Sequence, residues 1–117
     1  MKVTFEDNVV CIEGNKIVVK YPIKKIEKIA NKIIVLLKIP RVELGIDELN
    51  NILCYDENGL LCWQIDNKLP SDIVSKEQVP YVAIQIIDDK LYATDFGGRK
   101  FEVNVKNGSL LSVKTVR

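Results

Sequence analysis

The stretch YVAIQIIDDKLYATDFGGRKFEVNVKNGSLLSVKTV, residues 81–116, decides how this sequence folds. Tyr81 to Ile87 is a short apolar run that stops at Asp88-Asp89, and Lys90 to Phe96 is another that stops at Gly97-Gly98. From Arg99 to Val105, Phe101, Val103 and Val105 alternate with Lys100, Glu102 and Asn104, the period of a strand with one buried face. Lys106-Asn107-Gly108 then turns the chain into Leu110 to Val116. Short apolar runs separated by turn residues, with almost nothing to spare, describe a four-strand antiparallel meander.

The same pattern extends towards the N-terminus. Ile52 to Tyr55 and Leu60 to Ile65 flank Asp56-Glu57-Asn58-Gly59, which predicts a hairpin with Gly59 in the left-handed position. One register sets Cys54 against Cys62 and Tyr55 against Leu61, and a slip by one sets Tyr55 against Cys62. Trp63 falls in alternation with Leu61 and Ile65 and reads as core. Ile33 to Ile39 is aliphatic on both faces, as in a strand covered on both sides. Val9 to Ile12 runs into Glu13-Gly14-Asn15, after which Ile17 and Val19 alternate with Lys16, Val18 and Lys20, a further hairpin.

Residues 23–31 carry two readings. Ile23, Ile26 and Ile29 recur at helical spacing, and Pro22 suits a first helical turn. A strand at 26–30, turning at Asn31-Lys32 into the next strand, is the preferred alternative. Asp47 to Asn50 could form a helical turn. Pro40 to Asn51 and Asp66 to Pro80 are long connections for a compact domain, and such loops are where partner surfaces concentrate.

With 117 residues, 47% apolar and 28% charged, the chain suits one all-β domain spanning 1–117. The antiparallel meanders can form a β-sandwich, a partly open barrel or two propeller-blade-like sheets. A chain of this size buries roughly two-thirds of its unfolded surface, which excludes disorder and dependence on disulfides. Its longest apolar run, Ile33 to Leu37, falls far short of the roughly twenty residues of a membrane helix. Glu6 and Asp7 stand where a signal peptide needs apolar residues, so a cytoplasmic protein is expected.

The net charge of +1 hides an uneven distribution. Residues 20–40 hold six lysines against Glu27, whereas 41–95 hold eleven acids against four bases. Such blocks steer charged partners if they land on different faces, and cancel if the strands interleave. Cys11, Cys54 and Cys62 match no metal-binding spacing, and each lies in an apolar run, as reduced and buried cysteines do.

Signatures of catalysis are missing from the sequence. It has no histidine, no GxxxxGK[ST], no GxGxxG after a strand and no GxSxG. Asp56-Glu57 and Asp88-Asp89 are adjacent acids, but both fall in turns, where aspartate caps backbone amides. A non-enzyme without metal or cofactor is therefore expected. Lys20, Lys24, Lys25, Lys28, Lys32 and Lys38 are interleaved with a single aromatic, Tyr21, and the pI is only 7.6. That argues against a nucleic-acid platform, which sets several aromatics among its bases.

Asn31–Ile65 echoes Asp89–Val116: each has two strands, a connection and a hairpin at an Asn-Gly turn, Asn58-Gly59 and Asn107-Gly108. "KLYATDFGGRKFEVNVKNGSLLSVK" (90–114) resembles the repeat of quinoprotein-type β-propellers, and "NILCYDENGLLCWQI" (51–65) resembles its hairpin end, with Trp63 near the usual tryptophan. The second copy departs from the pattern at Val105 and at Ser112 or Val113, and two copies close no propeller, so no quinone is implied. Over most of its length the chain also resembles small uncharacterised bacterial proteins sharing Tyr21-Pro22-Ile23, an IIVLL strand (33–37), the 51–65 hairpin and a final Gly-rich meander. That resemblance implies a cytoplasmic protein and, for some members, an immunity protein against a secreted toxin, as in contact-dependent growth inhibition.

The resulting expectation is a protein-binding inhibitor that occludes a toxin's active site. Glu43, Asp47, Glu48, Asp66, Asp72 and Glu77 on the two long connections would face a basic cleft such as a nuclease presents. Two alternatives stand beside it: a small-molecule or carbohydrate-binding β-domain, and a structural subunit of an assembly.

Overall fold

The structure, a computed structural model, describes residues 2–39, 50–65 and 80–115. Among them lie eleven strands: β1 (Val3–Glu6), β2 (Val9–Ile12), β3 (Asn15–Val18), β4 (Ile23–Ile29), β5 (Lys32–Leu37), β6 (Ile52–Asp56), β7 (Leu61–Gln64), β8 (Tyr81–Ile87), β9 (Lys90–Asp95), β10 (Arg99–Val103) and β11 (Leu110–Thr115). They form three antiparallel sheets, β1-β2-β3, β4-β5-β6-β7 and β8-β9-β10-β11, in each of which sequence neighbours are sheet neighbours. The fold is all-β, as the turn spacing predicts. Among the described residues no sheet closes into a barrel, and the three open sheets are compatible with a sandwich or with blade-like sheets. β1 joins the N-terminal hairpin as a third strand, with Val3 opposite Ile12 and Glu6 opposite Val9.

The sheet β4–β7 is the middle layer, with a core on each face. On one side Ile33, Val35, Leu37 and Tyr55 pack with Val10, Ile12 and Val19. On the other, Ile34, Leu36, Ile52, Trp63 and Ile65 pack with Ile84, Leu91, Ala93, Phe101 and Val103. Strand β5 feeds both cores, which is why Ile33 to Leu37 are all buried and why alternation is missing there. In the C-terminal core Tyr81 meets Phe101 edge-on, centroids 6.1 Å apart, a geometry worth about 0.5–1.5 kcal/mol beyond burial. The Trp63 indole donates to Val105 O at 2.7 Å and so ties β7 to the last hairpin.

Residues 23–29 are a strand, beginning three residues before the predicted one, and the helix does not form. Its start is pinned by Ile23 N donating to Asp7 O and by Lys38 N donating to Pro22 O. A bulge between Ile23 and Lys25 shifts the alternation, so Ile23 enters one core and Ile29 the other. The quasi-helical isoleucine spacing therefore belongs to a kinked strand. The turn falls on Ala30-Asn31, with Ala30 at φ 53°, one residue earlier than Asn31-Lys32.

The β6–β7 hairpin combines the two predicted registers. Tyr55 opposes Leu61, but a bulge follows and Cys54 opposes Trp63, leaving Cys62 as the extra residue. Trp63 and Ile65 reach the core while Leu61 is exposed, so the simple alternation of these three fails at the bulge. Gly59 is left-handed as expected, at φ 82°. Asp56 Oδ1 accepts from Asn58 N and Leu60 N, and Asp88 and Asp89 lie at φ 51° and 61° in their two-residue turn. At Asp56 and at Asp88-Asp89 the adjacent acids thus serve turns. Of the cysteines only Cys54 is buried. Cys11 is half-buried and Cys62 exposed, which corrects the uniform expectation.

Candidate partner-binding end

Asn51 organises one end of the stack. Buried at the start of β6, it donates through Nδ2 to Leu37 O at 2.9 Å and to Tyr81 O at 2.8 Å. Its Oδ1 accepts from Tyr81 N at 2.8 Å, and its own carbonyl accepts from Leu37 N at 2.9 Å. One amide side chain thereby joins the end of β5 and the beginnings of β6 and β8. Gln64 Nε2 donates to Asn50 O at 2.8 Å and brings the end of β7 to the same place. Ile39, Asn50, Ile65 and Pro80, which border segments 40–49 and 66–79, therefore share one end of the molecule.

Two neighbouring corners complete this end. Phe96 N donates to Pro80 O at 2.9 Å, and its ring is 68% exposed, the most exposed aromatic side chain among the described residues. Buried Asp95 shapes the turn behind it, accepting from Arg99 N at 2.9 Å and from Arg99 Nε at 2.7 Å. On the other corner Lys20 lies 5.5 Å from the centroid of the Tyr21 ring. Asn50 Oδ1 is buried with no hydrogen-bond partner.

All six predicted contact residues, Glu43, Asp47, Glu48, Asp66, Asp72 and Glu77, lie outside the described residues. The structure places the borders of their segments together and does not bear on the side chains. Sequence reading missed Asn51 and Phe96 as parts of this end. A buried asparagine leaves no trace in a pattern of apolar periodicity, whereas Phe96 beside Gly97-Gly98 is an aromatic at a turn, a signal open to use.

Of the six lysines of the basic block, Lys24, Lys25 and Lys28 lie on β4 and Lys32 on β5. Lys24 Nζ donates to Val82 O at 2.7 Å and Lys25 Nζ to Ile84 O at 3.2 Å, while Lys25 also pairs with Glu27 at 3.0 Å. Both lysines thus reach from the edge of the middle sheet to carbonyls on the edge strand β8, where unpaired backbone groups would otherwise invite strand pairing. Among the described residues no three His, Cys, Asp or Glu side chains cluster as metal ligands, and no helix is long and apolar enough to cross a membrane.

Residues 1–115 match the family described as Domain of unknown function (DUF7957). The chain belongs to the DUF7957 family. No curated protein matches this DUF7957 chain. Among solved structures it is similar to the computationally designed Ika8 protein, at a TM-score of 0.59 and 9% identity. The match covers 98% of the DUF7957 chain and 36% of the designed one, so the chain spans about a third of that protein. At this identity the likeness concerns the fold alone.

Proposed function

We propose that this DUF7957 domain is a non-catalytic, protein-binding inhibitor: a cytoplasmic immunity protein that neutralises a cognate bacterial toxin, of the nuclease type, by covering its active site. The observation that carries this reading is the common root of the two acidic segments. Residues 40–49 hold three acids against one base, and 66–79 three against two. Asn51 and Gln64 bring the borders of both to one end, beside the exposed Phe96 ring. Acidic segments whose borders lie beside an aromatic anchor suit a basic cleft: charge sets the association rate and the desolvated ring adds affinity.

The test is affinity capture from the native host at low and moderate salt, repeated with Asp47→Lys/Glu48→Lys. One stoichiometric partner whose binding weakens with salt and with the reversal, and whose toxicity co-expression suppresses, is the expected result. A partner that binds the reversed variant equally well overturns the placement of the interface.

A second reading rests on a different observation. The N-terminal sheet bears a cleft of about 600 Å³ lined by Phe5, Val9 and Val18 with Glu6, Asn8 and Lys16. Apolar walls with a few polar groups are the make-up of a small-molecule or carbohydrate site. Saturable binding from a glycan or metabolite panel, abolished by Val9→Glu, would favour it over inhibition of a toxin.

A further inference from the structure

The bulge in β7 creates a chemical neighbourhood of its own at the opposite end of the middle sheet. Cys54 pairs with Trp63 and Tyr55 with Leu61, so Cys62, the extra residue of the bulge, lies on the adjacent antiparallel strand next to the partner of Cys54. Disulfides span Cα separations of roughly 4.4–6.8 Å, a range that neighbouring strands about 4.8 Å apart provide. The Cys62 sulfur is near enough to the Cys54 thiol to help raise its pKa. Lys32, at the start of β5, donates from Nζ to Cys62 Sγ at 3.3 Å. Cys62 is exposed and Cys54 is buried.

We infer that Cys62 and Cys54 form a redox-active dithiol, in which Cys62 attacks small disulfides of the glutathione type and Cys54 resolves the product. The Cys62 thiolate attacks one sulfur of the disulfide, whose S–S bond breaks and releases one thiolate. This leaves a mixed disulfide on Cys62. Cys54 then gives up its proton, its sulfur attacks Cys62 Sγ, and the second small thiolate departs. In sum the small disulfide is reduced to two thiols, and the protein loses two hydrogens and gains a Cys54–Cys62 bond. Roles follow from exposure, since only Cys62 is open to a reagent. The Lys32 ammonium sets a positive charge beside the sulfur that carries negative charge during the exchange. Burial, with the neighbouring Cys62 sulfur second, pushes the Cys54 thiol up to about 12, which makes resolution the slower step. Mixed disulfide therefore accumulates before it decays.

The experiment treats the folded chain, in a Cys11→Ser background, with oxidised glutathione and follows intact mass and peptide maps. The expected course is gain of one glutathione on Cys62, then its loss to a chain two hydrogens lighter with Cys54 and Cys62 joined. Cys54→Ala should stop at the mixed disulfide, Cys62→Ala should not react, and Lys32→Gln should slow the first step several-fold with Lys32→Arg restoring it. A chain that keeps glutathione on Cys62 indefinitely, links Cys62 to a second chain, or reacts only when unfolded overturns the inference. The wild-type peptide map decides the matter even if the Cys54 variant does not fold.

Discussion

Gly108 lies against the face of the Trp63 indole, so close that a Cβ on it would stand 2.5 Å from Cε3 and 2.8 Å from Cδ2. The ring cannot swing aside without giving up the hydrogen bond from its Nε1 to Val105 O. The last hairpin is thus shaped around a side chain that arrives from another sheet.

Gly108→Ala adds that overlap to the cost of a side chain at φ +77°. A loss of about 3 kcal/mol is expected, strain and overpacking combined. Gly14 is the control: its φ is +84°, but a Cβ there meets nothing within 4 Å. Gly14→Ala should cost only about 1 kcal/mol of backbone strain. Urea unfolding of both variants checks the difference, and equal losses would show that the indole yields.

Asn51→Ala removes three side-chain hydrogen bonds and leaves Leu37 O, Tyr81 O and Tyr81 N short of partners in a buried place. The expected destabilisation is about 2–4 kcal/mol, from the desolvation of groups left unpaired. Thermal or denaturant unfolding measures it. Hydrogen exchange at the Tyr81 amide should accelerate more than at the Phe101 amide, which sits deep in the sheet.

Stability should fall in alkali through Cys54. Burial raises its pKa from 9.0 to about 12 in the folded state, so the unfolded chain releases this proton first. The contribution is whole below pH 9 and is lost as the pH rises towards 12. The slope for one proton, reduced for solvent screening near the hairpin end, is roughly 1 kcal/mol per pH unit. Unfolding of wild type and Cys54→Ala between pH 8 and 11 isolates it, because the cavity left by the variant does not depend on pH. Parallel curves would exclude the effect.

Lys24→Ala/Lys25→Ala takes two ammonium groups from the Val82 and Ile84 carbonyls on the edge of β8. Stability should drop by no more than about 1 kcal/mol, as exposed ionic contacts are weak. Self-association should increase, because an uncovered edge strand is open to pairing with another chain. Light scattering against concentration is the measurement.

The local grammar of the fold was legible because it rests on local physics. Gly59 and Asp88-Asp89 stand where the chain must enter left-handed backbone, and the unbroken apolar run of β5 announces cover on both faces. The bulges at Ile23 and Cys62 were not legible. Each is a one-residue slip fixed by which core the neighbouring side chains must reach, and that choice depends on sheets distant in sequence. Pro40 to Asn51 and Asp66 to Pro80 are legible as long connections from their length and composition. Asn51, which gathers their borders, was hidden because one polar residue ahead of a strand looks the same whether water or backbone satisfies it.

The double duty of β5 bears on how the molecule comes apart. A protein of three stacked sheets could shed its outer layers one by one, each with its own melting temperature. Here, detaching the N-terminal sheet bares Ile33, Val35 and Leu37, and detaching the C-terminal sheet bares Ile34 and Leu36, all on a six-residue strand. Wetting either side of so short a strand weakens its hold on the other, so local opening spreads into global unfolding. The small N-terminal sheet is in this way an obligatory part of one cooperative unit, not a detachable ornament.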